Sequence, residues 1–298
     1  MSTEFDFISW IRAQQRPADL VRLGIGDDLA VLNWKRDDLL LVGVDQVLDG
    51  VHFDSAVHSP RAIGRKAMNR NLSDCAAMGC LPAAAVVTVA LPTGVGDEFA
   101  KELFLGIKEA GEAHDAIIVG GDTGSWPGKL VVTVTILGKS EDVAPIPRTA
   151  AKPGDGIYVT GKLGGSILGR HMTFEPRVQL GRKLAENETP TAMIDLSDGL
   201  SRDLAHLCRE SHVGAELDGN QIPIHPDAIQ LATNEGFSGP ELYFRARWHA
   251  IHDGEDYELL FTSNRLVDNA IRIGTIVGGS GILLDGEPLQ AQAWEHTF

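Results

Sequence analysis

"LGIGDDLAVL", residues 23–32, sets two adjacent acids, Asp27 and Asp28, between glycines and an apolar run. It opens like a GxGxxG dinucleotide loop. Leu29, however, stands where the last glycine belongs, and the stretch precedes a strand rather than a helix, which disfavours a Rossmann site. Two readings remain for these ten residues alone. They form a polar turn, since Gly and Asp are common turn formers, or the paired carboxylates face a cation.

The rest of the chain alternates helical and strand-like segments on both sides of one break. A short amphipathic helix is expected at 4–13, strands at 28–33 and 39–45, a helix at 61–78 and a strand at 83–91. A helix follows at about 97–113, and then "AIIVGGD" and "KLVVTVTILG" read as two further strands bounded by Gly-rich turns. The proline-containing stretch 142–154, "DVAPIPRTAAKPG", marks the expected boundary between a domain of residues 1–141 and one of residues 142–298. Beyond it come a strand at 156–160, helices at 164–171 and 176–187, a strand at 191–194 and a helix at 198–211. Strands at 214–218 and 257–262, and one or two more, complete the second domain. The expectation is two α/β (α+β) domains.

Composition narrows the function. The 298 residues carry 41 acids against 26 Lys and Arg, a formal charge of −15 that repels a nucleic-acid backbone. Cys75, Cys80 and Cys208 make neither a CxxC pair nor a disulfide framework, which points to a reducing compartment. No signal peptide is visible, and "LPAAAVVTVALP" falls short of the roughly 20 apolar residues that span a bilayer. A cytoplasmic protein without membrane or nucleic-acid partners is expected. "LGKS" at 137–140 lacks the leading glycine of a P-loop, and "GSWPGKL" has the wrong spacing. HExxH, paired-Cys zinc and GxSxG patterns are all missing from the sequence.

What recurs is aspartate beside small residues at the ends of apolar runs: "GIGDDLAV", "LLLVGVD", "IIVGGDT" and "MIDLSDG". "NLSDCAAMG" adds one inside a helix and "GEDYELLF" another acidic group before a strand. Each aspartate has a plain explanation by itself: Asp198 as a helix N-cap, Asp74 as a buried polar group, Asp122 as part of a turn. Their number and shared context point instead to magnesium, which takes hard oxygen ligands, usually one or two carboxylates per ion, completed by waters and phosphates.

Together "GIGDDLAVL", "VDQVLDGVHF", "GRKAMNRNLSDCAAMG", "GGDTG", "MIDLSDGL" and "GEDYELLFT" resemble the thiamine-monophosphate kinase family, in order from residue 23 to 262, with a weaker echo in "AWEHTF". The resemblance implies the two-domain fold of the aminoimidazole-ribonucleotide synthetase-like group. Its N-terminal sheet pairs across a homodimer, and its C-terminal domain is α+β. It implies ATP as co-substrate, thiamine monophosphate as acceptor and several Mg2+ ions. On the matching positions, Asp28, Asp45, Asp74, Asp122, Asp195 and Asp198 would be metal ligands. Gly121, Asp122, Arg148 and Ser197 would contact ATP, while His52, Glu255 and Trp294 would hold thiamine monophosphate. Arg148 also reads as a solvated linker arginine, His52 as a semi-buried histidine and Trp294 as a packing residue.

The chemistry needs no acid or base from the protein. A phosphate monoester has a second pKa near 6, so its attacking oxygen is largely deprotonated at neutral pH. Two positions depart from the pattern: Gly43 and Val44 stand where hydroxyl residues usually precede the aspartate, and Gly124 stands where a second Thr is frequent. A sister enzyme with another phosphate acceptor and a non-catalytic nucleotide- or thiamine-phosphate-binding protein are the alternatives.

Overall fold

A computed structural model describes residues 4–25 and 30–290, so that Asp27, Asp28 and Trp294 lie outside the described residues. The chain divides into two compact units, residues 1–75 with 80–142, and residues 76–79 with 143–298.

The first unit contains α1 (Glu4–Ala13), β1 (Val21–Leu23), β2 (Val31–Leu32), β3 (Leu40–Leu48), α2 (Pro60–Met78), β4 (Leu81–Pro92), α3 (Asp97–Glu112), β5 (Ile117–Trp126) and β6 (Val131–Lys139). Its main sheet has the order β3-β6-β4-β5. β4 and β5 run parallel with α3 as their crossover, and β6 runs antiparallel to both β3 and β4. In α3 the buried residues Ala100, Leu103, Phe104, Ile107 and Ala110 recur at helical spacing, while Asp97 and Glu98 face the positive end of the helix dipole.

The sheet's two faces differ in chemistry. Along one, Val47, Val132, Val134, Ile136 and Val87 are buried; along the other, Leu40, Val42, Val44 and Val86 are exposed. α2 is buried nearly all round, including Lys66, Asn69, Asn71 and Ser73. α2 and α3 approach so closely that a Cβ on Gly64 would meet the Leu103 carbonyl oxygen, and one on Gly106 the Arg61 carbonyl oxygen.

The second unit contains β7 (Gly156–Val159), a 3-10 turn (Ser166–Leu168), α4 (Arg170–Thr173), α5 (Val178–Glu186), β8 (Ala192–Asp195), α6 (Leu200–Ser211) and β9 (Gly214–Leu217). α7 (Pro226–Asn234), α8 (Gly239–His252), β10 (Leu259–Ser263), β11 (Ile271–Val277), β12 (Ile282–Leu284) and β13 (Glu287–Pro288) follow. The sheet order is β13-β12-β9-β11-β7-β10-β8. One face of α6, with Leu200, Leu204, Leu207 and Cys208, joins Ile157, Val159, Ile194, Leu260 and Ile276 in the core.

Several segments differ from the sequence reading. The helix expected at 164–171 is broken, because Gly164, Gly165 and Gly169 have φ of 90, 72 and 132°. The strand expected from 257 begins at Leu259, since Tyr257 has φ of 52°. α7 and α8 are additional. The apolar pattern of α8 is masked by exposed Tyr243, Phe244 and Trp248, whereas its buried side carries Ala246, His249, Ala250 and Ile251.

A side chain at position 106 has no room between α2 and α3. Gly106→Val should therefore lower stability by about 2–4 kcal/mol, read as a reduced urea midpoint with native circular dichroism retained in water.

Candidate active site

In the first unit β3 and α2 bring Asp45 and Asp74 together. Asp45 and Gly43 occupy one face of β3, two residues apart, and the ladder pairs Asp45 with buried Val134. A Cβ on Gly43 would lie 3.8 Å from Asp74 Oδ2, so the Asp74 carboxylate fills the space which that glycine leaves. One helical turn earlier, Arg70 Nε donates to Asp45 Oδ2 at 3.0 Å and Nη2 to Oδ1 at 3.5 Å. The sequence reading did not single out Arg70; nothing local in "NRNLSD" says which strand residue it faces.

Asp122 is placed differently. Its row in the sheet is Gln46, Thr133, Thr88 and Asp122, next to the row of Asp45, Val134, Val87 and Gly121. Cross-strand partners share a face and adjacent rows point oppositely, so register assigns Asp45 and Asp122 to opposite faces. Gly121 has its own structural reason: a Cβ there would run into the Val87 carbonyl oxygen.

Beside Gly121 a cavity of about 570 Å³ opens among α1, α3 and the β4–β5 strands. Phe7, Val87, Val89, Leu103, Phe104 and Ile107 make its walls apolar, and Gly120, Gly121 and Asp122 line it as well. The amphipathic pattern of α3 announces a buried face, but not that space remains beside it.

His52 lies in the loop after β3. The Leu48 N–H donates to His52 Nδ1 at 3.0 Å, which fixes Nδ1 as an acceptor and leaves the ring proton on Nε2. Lys66, buried on α2, donates to the His52 carbonyl, and Asp49 accepts from the Ser55 N–H and hydroxyl at 3.1 and 2.6 Å.

In the second unit Asp195 ends β8 opposite Leu259 and is buried. Asp198 is not the N-cap of α6. Gly199 holds that position with φ of 103°, and the Asp198 N–H donates at 3.0 Å to Asp203 Oδ2 within the first turn. Asp203, missed in the sequence, is buried. Burial, together with repulsion from Asp195 and Asp198, pushes its carboxyl well above the usual carboxylate range. Its only sequence signal is an acid between Leu200 and Leu204.

Arg148 is exposed, and its carbonyl accepts from the Ser211 hydroxyl at 2.7 Å. Its charge is felt at His206, whose pKa is lowered by burial first and then by Arg209, Arg202 and Arg148.

Ser197 and Glu255 are joined by backbone: the Glu255 N–H donates to the Ser197 carbonyl and the Tyr257 N–H to the Leu196 carbonyl, both at 2.8 Å. Glu255 and Tyr257 adopt φ of 62 and 52°, a left-handed conformation that must be imposed from outside. Acids on the same segment impose it. Asp253 accepts from the Gly165 N–H at 2.9 Å. Asp256 accepts from the Gly164 N–H and from Arg170 Nη2, each at 2.9 Å. Glu258 accepts from the Thr160 hydroxyl at 2.7 Å and Arg177 Nε at 2.9 Å. Phe174 stacks on Tyr257 with centroids 3.7 Å apart.

The donors present fit a hard cation. They are carboxylates and backbone carbonyls, and the Asp203 carboxyl is pushed above the usual carboxylate range by burial first and by Asp195 and Asp198 second. Among the described residues no three Asp, Glu, His or Cys side chains converge to ligand distance by themselves.

The fold and these acids define a class, for residues 26–140 match the family AIR synthase related protein, N-terminal domain. Comparison of the full sequence is narrower. A thiamine-monophosphate kinase of Rhodopirellula baltica is 41% identical over 296 residues, covering 94% of this chain and 91% of that protein. The thiamine-monophosphate kinase structure from Stenotrophomonas maltophilia K279a superposes with a TM-score of 0.80 at 31% identity, covering 96% of this chain and 98% of that one. AaThiL complexed with AMPPCP and TMP gives 0.79 at 27%, covering 100% and 99%. The chain belongs to the thiamine-monophosphate kinase family.

Burial moves the Asp256 carboxyl from 3.8 up to about 7, against the pull of Arg170 and the Gly164 N–H. The folded state thus holds a proton that the unfolded state releases, and this group's contribution to stability falls as pH rises from 3.8 to about 7. Asp256→Asn should flatten that part of the stability–pH profile, measured by urea unfolding across the interval.

Proposed function

We propose that this chain transfers the γ-phosphoryl group of ATP directly, in line, to the phosphate of thiamine monophosphate, yielding thiamine diphosphate and ADP. The observation that carries the reading is near full-length kinship with thiamine-monophosphate kinases at up to 41% identity. A structural relative, aligned over the whole chain, is complexed with AMPPCP and TMP.

Asp45 and Asp74 in the first unit, and Asp195 and Asp198 in the second, would hold Mg2+. Asp28 and Asp122 are the further ligands that the family resemblance implies. Bound there, the ions supply neutralisation of phosphate charge and Lewis-acid polarisation. The apolar cavity beside Gly121 and Asp122 suits the adenosine end of ATP, with Phe104 and Val87 as walls. Arg148 and Ser197 are the further ATP contacts that the family resemblance implies, and Arg148 lies with Arg202 and Arg209 near one histidine, His206.

His52, its proton fixed on Nε2, would donate to an acceptor on thiamine monophosphate. Glu255 would complement the cationic thiazolium, with Trp294 as the covering aromatic ring. Because the acceptor phosphate is already largely ionised, the residues bind and orient rather than exchange protons, and proximity and electrostatics carry the rate.

The reading extends to a homodimer in the cytoplasm. Leu40, Val42, Val44 and Val86 form an exposed apolar face of the first unit's sheet that suits a second copy. Cys75, Cys80 and Cys208 form no disulfide, which suits a reducing compartment. No helix among the described residues is long and apolar enough to cross a membrane.

Purified protein with ATP, thiamine monophosphate and Mg2+ should produce thiamine diphosphate by chromatography, and ATP binding without product would overturn the reading. Asp45→Asn should lower kcat by about a hundredfold or more with an unchanged circular dichroism spectrum. Ala100→Phe, which fills the cavity from α3, should raise KM for ATP about tenfold and leave KM for thiamine monophosphate in place.

A further inference from the structure

We propose that Arg70 is a built-in cation at Asp45, a guanidinium occupying the place of one divalent ion, so that this chain binds one ion fewer around its nucleotide than its acids alone would hold. The inference rests on the reading of Asp45 as a cation ligand.

The geometry is a fork on a carboxylate. Arg70 reaches both oxygens of Asp45, at 3.0 Å through Nε and 3.5 Å through Nη2, from a side chain only 14% exposed, while Asp45 is 31% exposed. A guanidinium keeps its charge at every relevant pH, and its planar donors match a carboxylate better than a lysine ammonium would. A dication brought to the same oxygens would meet that fixed charge in a partly desolvated place, where repulsion is stronger than in water.

The neighbouring residues remove the usual compensation. Gly43, on the same face of β3, has no side chain to offer an oxygen. Val44 points to the opposite face and is 63% exposed. Beyond Asp45 itself, this stretch of β3 can present only backbone carbonyls to a cation. The α2 register finishes the arrangement, setting Asp74 at Gly43 and Arg70, one turn away, at Asp45. The chain thus places one negative and one positive side chain against a strand carrying a single carboxylate. This offsets charge that a second dication would otherwise have to balance. Arg70 would add a fixed positive charge at Asp45, the role an arginine can fill in phosphoryl transfer.

The test counts ions. Mn2+ is titrated into the full chain with AMPPCP and thiamine monophosphate present, and free Mn2+ is read by electron paramagnetic resonance. Arg70→Met, which keeps the stem but not the charge, should bind one more Mn2+ per chain than the unaltered protein. It should also need roughly tenfold more Mg2+ for half-maximal turnover. Arg70→Lys, which restores a charge, should return the count to that of the unaltered protein. If Arg70→Met packs poorly, Arg70→Gln makes the same comparison.

Equal counts for the unaltered and Arg70→Met chains would overturn the proposal, provided Asp45→Asn lowers the count, because the guanidinium would then be yielding its place to an ion. A count that Asp45→Asn also leaves unchanged would remove the reading of Asp45 as a ligand, and the proposal with it.

Discussion

Carboxylates gathered where water is scarce repel one another, and each unit of this chain is arranged around that repulsion. In the first unit the answer is an arginine: Arg70 engages both oxygens of Asp45 while Asp74 takes the space that Gly43 leaves. In the second, burial first and the charges of Asp195 and Asp198 second push the Asp203 carboxyl upward, and backbone N–H groups are turned toward it. In the proposed site, bound phosphates and cations would relieve such tension. Local rules are expected to yield at places of this kind.

The second unit shows how that tension is made geometrically useful. Glu255 sits in a left-handed conformation that an isolated chain avoids, and Asp253, Asp256 and Glu258 hold it by reaching back to Gly165, Gly164 and Thr160. Through its own N–H, Glu255 is tied to Ser197. Two segments far apart in sequence thus share backbone hydrogen bonds. A shift of either moves both, so Ser197 and Glu255 are positioned together.

Most elements could be read from periodicity alone, because their buried faces recur at the spacing of a helix or strand. α3 is the clear case. Failures fall where a different force prevails. α8 turns Tyr243, Phe244 and Trp248 outward, which hides its inner face of Ala246, Ala250 and Ile251. The glycines at 164, 165 and 169 interrupt a helix that composition otherwise permits. Asp198 looked like an N-cap by position, yet Asp203 receives its N–H from within the helix.

By itself the sequence determined the acidic residue types, their order and their placement at the ends of apolar runs, since these are properties of neighbours along the chain. It also marked Gly43 and Val44 as positions without a side-chain oxygen. Only the tertiary structure decided that Arg70 faces Asp45, that Asp122 lies in a row opposite in facing to Asp45, and that Asp256 and Arg170 brace Glu255. Those facts depend on strand register, helix rotation and contacts across 25 to 92 residues of chain. Such relations are set by packing, because a one-residue slip in register would reverse which face each carboxylate occupies.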